Sequence, residues 1–119
     1  MQKYNFSYDK ENDDLFLFSS KSKSKASVEL GDMVIDFNSK KEFAGIQIMN
    51  ASKFIKDLTS ETLSNIRNLL NKLEKCEIEI KPRNNILIIK IYLFSEQKEI
   101  SPVITVSNIT ESSPALAAA

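Results

Sequence analysis

The sequence predicts an α+β fold made of antiparallel sheet units: about five strands, one amphipathic helix, then about three strands. Three observations predict it. Short apolar or alternating runs separated by turn residues fill positions 1–56. Residues 57–75 then switch to apolar side chains at three- and four-residue spacing. Alternating runs return over residues 76–107. Strands grouped on either side of one helix, with no βαβ alternation, pair antiparallel.

Taken in order, Lys3 to Tyr8 alternates with Tyr4, Phe6 and Tyr8 on one face. Asp9 to Asp13 is polar and turn-like, and Leu15 to Phe18 is a short apolar strand. Ser19 to Lys25 alternates serine and lysine and reads as a loop. Ala26 to Leu30 and Met33 to Phe37 flank Gly31-Asp32, a hairpin signal. Asn38 to Lys41 makes a turn, and Phe43 to Met49 is a strand with Ile46 and Ile48 on one face. The helix over 57–75 carries Leu63, Ile66, Leu70 and Leu73 in a stripe that Leu69 widens, with Thr59 or Ser60 as its cap. Cys76, Ile78 and Ile80 alternate with Glu77, Glu79 and Lys81, so this strand has one wet face. Pro82 to Asn85 forms a turn. The returning strand is apolar on both sides: Leu87, Ile89, Ile91 and Leu93 fill one face, and Ile86, Ile88 and Tyr92 much of the other. Such a strand is buried on both faces. Pro102 opens a last strand, Val103 to Val106, where proline is tolerated. The organisation expected is one domain over 1–109 and a disordered tail over 110–119, rich in Ser, Pro and Ala.

Composition excludes several functions. The chain has 119 residues, 42% of them hydrophobic, enough for a core without disulfides or metal. Lysine plus arginine and aspartate plus glutamate number 16 each, a balance that argues against a dedicated nucleic-acid binder and against a polybasic membrane anchor. It has no apolar run of membrane-spanning length and no apolar leader. With Cys76 as the only cysteine, a reducing cytoplasm is expected. There is no histidine, which removes Ser-His and Cys-His catalysis and the common zinc sites. Two glycines, Gly31 and Gly45, cannot build a phosphate-cradling loop. No cofactor is implied.

Four segments carry a family resemblance. They are Tyr8-Asp9-Lys10-Glu11-Asn12-Asp13-Asp14-Leu15-Phe16-Leu17, Val28-Glu29-Leu30, Val34-Ile35-Asp36-Phe37 and Gly45-Ile46-Gln47-Ile48-Met49-Asn50-Ala51-Ser52. In this order they resemble a small prokaryotic family, domain of unknown function 2283, over about residues 4–56. The sequence departs from that pattern at Asn38 to Lys41, which lacks a glycine, and at Gln47, where glutamate is usual. The resemblance implies a small antiparallel β unit followed by a helix and no established activity. Members sit beside small toxin-like genes in some genomes, which implies an antitoxin-like role with a small protein partner.

Four candidate sites emerge. Asp9, Glu11, Asp13 and Asp14 place alternating carboxylates in one turn, an oxygen-rich set suited to a divalent cation; Asp9, Asp13 and Asp14 are the metal candidates. The calcium-loop pattern is absent, and aspartates that bond their own turn explain the cluster equally well. Lys21, Lys23 and Lys25 can touch phosphates, but no arginine or aromatic residue is interleaved for base recognition. Cys76 shares the apolar face of Ile78 and Ile80, which suits an inert thiol. Ile86, Ile88 and Tyr92 need a cover, supplied either by the same chain or by a second copy. The function expected is a non-catalytic protein-binding or scaffold domain, homodimeric. The alternative is a divalent-metal-binding domain or a carboxylate-based enzyme built on the acidic cluster.

Overall fold

The computed structural model describes residues 2–21 and 23–107, so the expected tail over 110–119 lies outside the described residues. Five strands open the chain: β1 Gln2–Asp9, β2 Asp14–Phe18, β3 Ala26–Leu30, β4 Met33–Phe37 and β5 Phe43–Ile48. Two helices follow, α1 Ala51–Leu58 and α2 Leu63–Asn71. Four strands complete the fold: β6 Lys75–Arg83, β7 Ile86–Phe94, β8 Glu99–Ile100 and β9 Val103–Ser107. The α+β class with antiparallel pairing is what the sequence predicts.

All strands join one curled antiparallel sheet, ordered β3-β4-β5-β2-β1-β6-β7-β8, with β9 also on β7. β1 is the joint. Its first residues pair with β6 (Tyr4 opposite Cys76), and its later ones with β2 (Asp9 opposite Asp14). The two-residue turn Gly31-Asp32 closes the β3–β4 hairpin, and Gly31 takes the left-handed backbone (φ 61) that glycine accepts without strain.

Alternation decides which side chains face inward. Leu17, Ile46 and Ile35 lie side by side across β2, β5 and β4, all buried. Ile78 and Ile91 do the same across β6 and β7, and Ile89 and Ile104 across β7 and β9. Ile55 of α1 and Ile66, Leu69 and Leu70 of α2 join the same buried cluster. Full burial of one such aliphatic side chain contributes about 1.5–3 kcal/mol.

The helical region differs from expectation. The single helix over 57–75 is two helices, and the first begins at Ala51. The cause is the polar segment Thr59 to Thr62. Thr59 is extended (φ −135, ψ 173), and its hydroxyl donates to the Ile55 carbonyl at 2.9 Å, so α1 stops there. The cap of α2 is Thr62, not Thr59 or Ser60; its hydroxyl accepts from the Asn65 N–H at 3.2 Å. Short hydroxyl side chains compete with the helical ladder, and four consecutive polar residues let them win. Among the described residues no helix is long and apolar enough to cross a membrane.

Candidate functional site

The acidic turn between β1 and β2 is consumed by its own structure. The Asp9 carboxylate accepts from the N–H groups of Glu11 (3.0 Å) and Asn12 (3.2 Å) and from the Asn12 side-chain amide (2.7 Å). These bonds, the Asn12 side chain foremost, hold the Asp9 carboxyl below its ordinary value. Asp13 is left-handed (φ 56) and turns its carboxylate inward. There it accepts from the Tyr8 hydroxyl at 2.5 Å, the Ser52 hydroxyl at 2.6 Å and the Ser52 N–H at 3.1 Å. The Asp13 carbonyl accepts from the Ala51 N–H at 2.8 Å.

This arrangement caps α1 from a distance. Asn50, the residue preceding the helix, is left-handed (φ 52) and gives no side-chain cap. The first N–H groups of α1 would be orphaned, and Asp13, 39 positions before Ser52, supplies the acceptors. Its negative charge also sits at the positive end of the helix dipole. The Tyr8 hydroxyl is raised above its ordinary value, first by burial and then by its bond to Asp13, so it stays a donor.

Asp14 stands opposite Asp9 across the β1–β2 ladder. The structure thus joins Asp13 to Tyr8 and Ser52, and it does not gather Asp9, Asp13 and Asp14 around one point. Among the described residues no group of three or more carboxylate or thiol side chains is placed to hold a metal ion. Tyr8 and Ser52 are the partners that inspection of single segments misses. Their signal lies in the ordered motifs, since Tyr8 and Asp13 stand in the first and Ser52 closes the last.

Cys76 is fully buried, opposite Tyr4 and Leu93, and burial pushes its thiol up to about 12. The sign of the stability effect follows. The unfolded thiol ionises near its ordinary 9.0, whereas the folded thiol does not until about 12. The stability it contributes is fully present below about 9 and lost as pH rises toward 12. Urea unfolding of Cys76→Ala therefore shows a shallower fall with pH over this range than the parent, by up to about 1.4 kcal/mol per pH unit. The native thiol also resists aromatic disulfide reagents until the chain is unfolded. Lys21, Lys23 and Lys25 are exposed in the β2–β3 loop, which the Lys25 N–H ties to the Phe37 carbonyl at 2.8 Å.

The outward face of β7 departs from the expectation of burial on both sides. Leu87, Ile89, Ile91 and Leu93 are buried inward, while Ile88, Tyr92 and Phe94 are half-buried and Ile86 is 41% exposed. Val103 on neighbouring β9 is 43% exposed. Among the described residues no layer of the chain covers this stripe. Charges edge it instead: Lys75 pairs with Glu77 (3.9 Å) and Lys81 with Glu79 (3.7 Å) along β6. The Lys75 ammonium lies 4.4 Å from the Phe94 ring centre and that of Lys90 5.0 Å from Tyr92, so lysine stems shield part of the aromatic surface.

Residues 5–52 match the family described as protein of unknown function (DUF2283), a span that runs from β1 to Ser52 and so contains the whole Tyr8–Asp13–Ser52 cluster. An uncharacterized protein of Methanocaldococcus jannaschii is 34% identical over 100 residues, 82% of this chain and 80% of the relative. A Methanosarcina mazei protein, provisionally named a hypoxanthine phosphoribosyltransferase, is 30% identical over 76 residues, 64% of this chain and 61% of its own length. No solved structure matches. The motifs, the cluster they build and the relative in M. jannaschii agree: the chain belongs to the DUF2283 family of proteins of unknown function.

Proposed function

We propose that the chain acts as one non-catalytic protein-binding domain of the cytoplasm, which self-associates through the outward face of β7. The observation that carries this reading is the half-open stripe of Ile86, Ile88 and Tyr92. Large apolar and aromatic side chains on an open sheet face are the anchors of protein interfaces. A formal net charge of zero leaves little repulsion between copies. A two-fold pair places the same stripe on both partners and removes it from water. The antitoxin-like version of this reading puts a small protein on the same face.

Light scattering coupled to size exclusion tests it. The parent chain elutes as a dimer of twice 13.5 kDa. Ile88→Lys places an unpaired charge at the centre of the contact and weakens the dimer at least about 100-fold, to a folded monomer. A monomeric parent, or a dimer indifferent to Ile88→Lys, overturns self-association through this face.

A further inference from the structure

At the end of the sheet where the β6–β7 hairpin tip faces the β4–β5 turn, the surface forms an open-sided cavity of about 420 Å³. No helix residue lines it. Its walls are mostly apolar: Phe37 of β4, Phe43 of β5, Ile80 of β6, Leu87 of β7, and Tyr4, whose ring meets Phe43 edge-on at 5.9 Å. The size lies within the range of small-molecule pockets, about 300–1,000 Å³.

Six polar side chains line this cavity, Gln2, Tyr4, Lys41, Glu42, Asn84 and Asn85, and of these the Tyr4 hydroxyl and the Lys41 ammonium can meet an anionic head. Tyr4 is only 6% exposed, yet among the described residues its hydroxyl makes no hydrogen bond. No fully buried side-chain polar atom lacks a partner among the described residues, so this hydroxyl is not wholly sealed; Tyr4 lines this cavity and two neighbouring clefts. Burial raises the hydroxyl above its ordinary value, so it is present as a donor. Lys41, at the rim, is exposed, and its ammonium has no ion-pair partner among the described residues. The Glu42 carboxylate lines the same cavity and accepts from the Asn38 amide at 3.3 Å, so the head lies on the Lys41 side. A buried donor and a free cation beside an aromatic and aliphatic wall select a ligand with an apolar body and one anionic, acceptor-rich head.

We infer that this cavity binds a small apolar carboxylate, its body against Tyr4, Phe43, Ile80 and Leu87 and its head toward Lys41. The site does not rest on self-association. Octanoate is the probe, titrated calorimetrically into the full chain below its micelle concentration, with octanol as the uncharged control. Octanoate binds saturably at one per chain, and octanol binds more weakly. Lys41→Glu weakens octanoate about tenfold and leaves octanol unchanged, and Tyr4→Phe weakens octanoate about fivefold. Circular dichroism and thermal unfolding confirm that both variants remain folded. Absence of saturable octanoate binding to the parent overturns the site. Equal affinity for octanoate and octanol, or a Lys41→Glu variant that binds octanoate as the parent does, overturns the anionic head.

Discussion

Replacing Asp13 by alanine lowers the unfolding free energy by about 3 kcal/mol or more, measured by urea denaturation at neutral pH. Two effects add. The Ser52 N–H and hydroxyl, on a fully buried residue, lose their acceptor, and with it α1 loses its side-chain cap, which alone accounts for about 0.5–2 kcal/mol. Alanine must also hold the left-handed backbone of position 13 (φ 56), at about 1–2 kcal/mol. Asp13→Gly separates these contributions, since glycine removes the carboxylate without backbone strain. It remains destabilised by about 2 kcal/mol through the lost hydrogen bonds. Ser52→Ala and Tyr8→Phe each cost about 1 kcal/mol and couple to Asp13 in double-mutant cycles. An Asp13→Gly variant within about 0.5 kcal/mol of the parent would show that the carboxylate contributes nothing to the cap.

Gly45→Ala is as damaging, for a steric reason. A Cβ built at Gly45 lies 2.6 Å from the Leu17 carbonyl oxygen and 3.2 Å from Phe18 Cα. Both are backbone atoms of β2, so no side-chain rotation relieves the clash. β5 and β2 must separate locally, weakening the ladder that pairs Phe18 with Gly45. The register also shifts at Asp36/Phe37 of β4, on the other side of β5. The expected loss is about 2–4 kcal/mol, at the severe end for a single methyl group. Gly31→Ala is the control. Nothing lies within 4 Å of its added Cβ, and only the left-handed backbone resists it, at about 1 kcal/mol. Thermal unfolding of the two variants ranks them; a Gly31→Ala variant less stable than Gly45→Ala would contradict the close approach of β2 and β5.

Both positions lie within residues 5–52, the span that matches the family. Tyr8, Asp13, Gly45 and Ser52 all lie within it, and each does structural work: a hydrogen-bonded cap or a close strand approach. Function is better sought in the outward face of β7 and in the cavity beside Lys41, both of which involve β7 outside the matched residues.

The pattern of side chains alone determined much of this protein. Strands β1 to β5 and the β6–β7 hairpin were legible because alternation has a period of two and turn residues punctuate it. Gly31-Asp32 named its own turn. The buried side of β7 and the inert Cys76 followed from the same alternation. Where the reading failed, the deciding contact was remote in sequence. The start of α1 at Ala51 depends on Asp13, so Asn50 alone carries no readable cap signal. The stop at Thr59 is a local competition between a hydroxyl and the helical ladder, whose outcome stripe periodicity does not register. In the acidic turn, Asp9 bonds its own backbone, one of the two readings the sequence left open, while the partner of Asp13, Ser52, is remote in sequence. Whether the second apolar face of β7 meets the chain itself is a question of layers. Among the described residues the tertiary structure sends the apolar stripes of both helices into the inward core and leaves Ile86, Ile88 and Tyr92 half open to water, an outcome that depends on contacts remote in sequence.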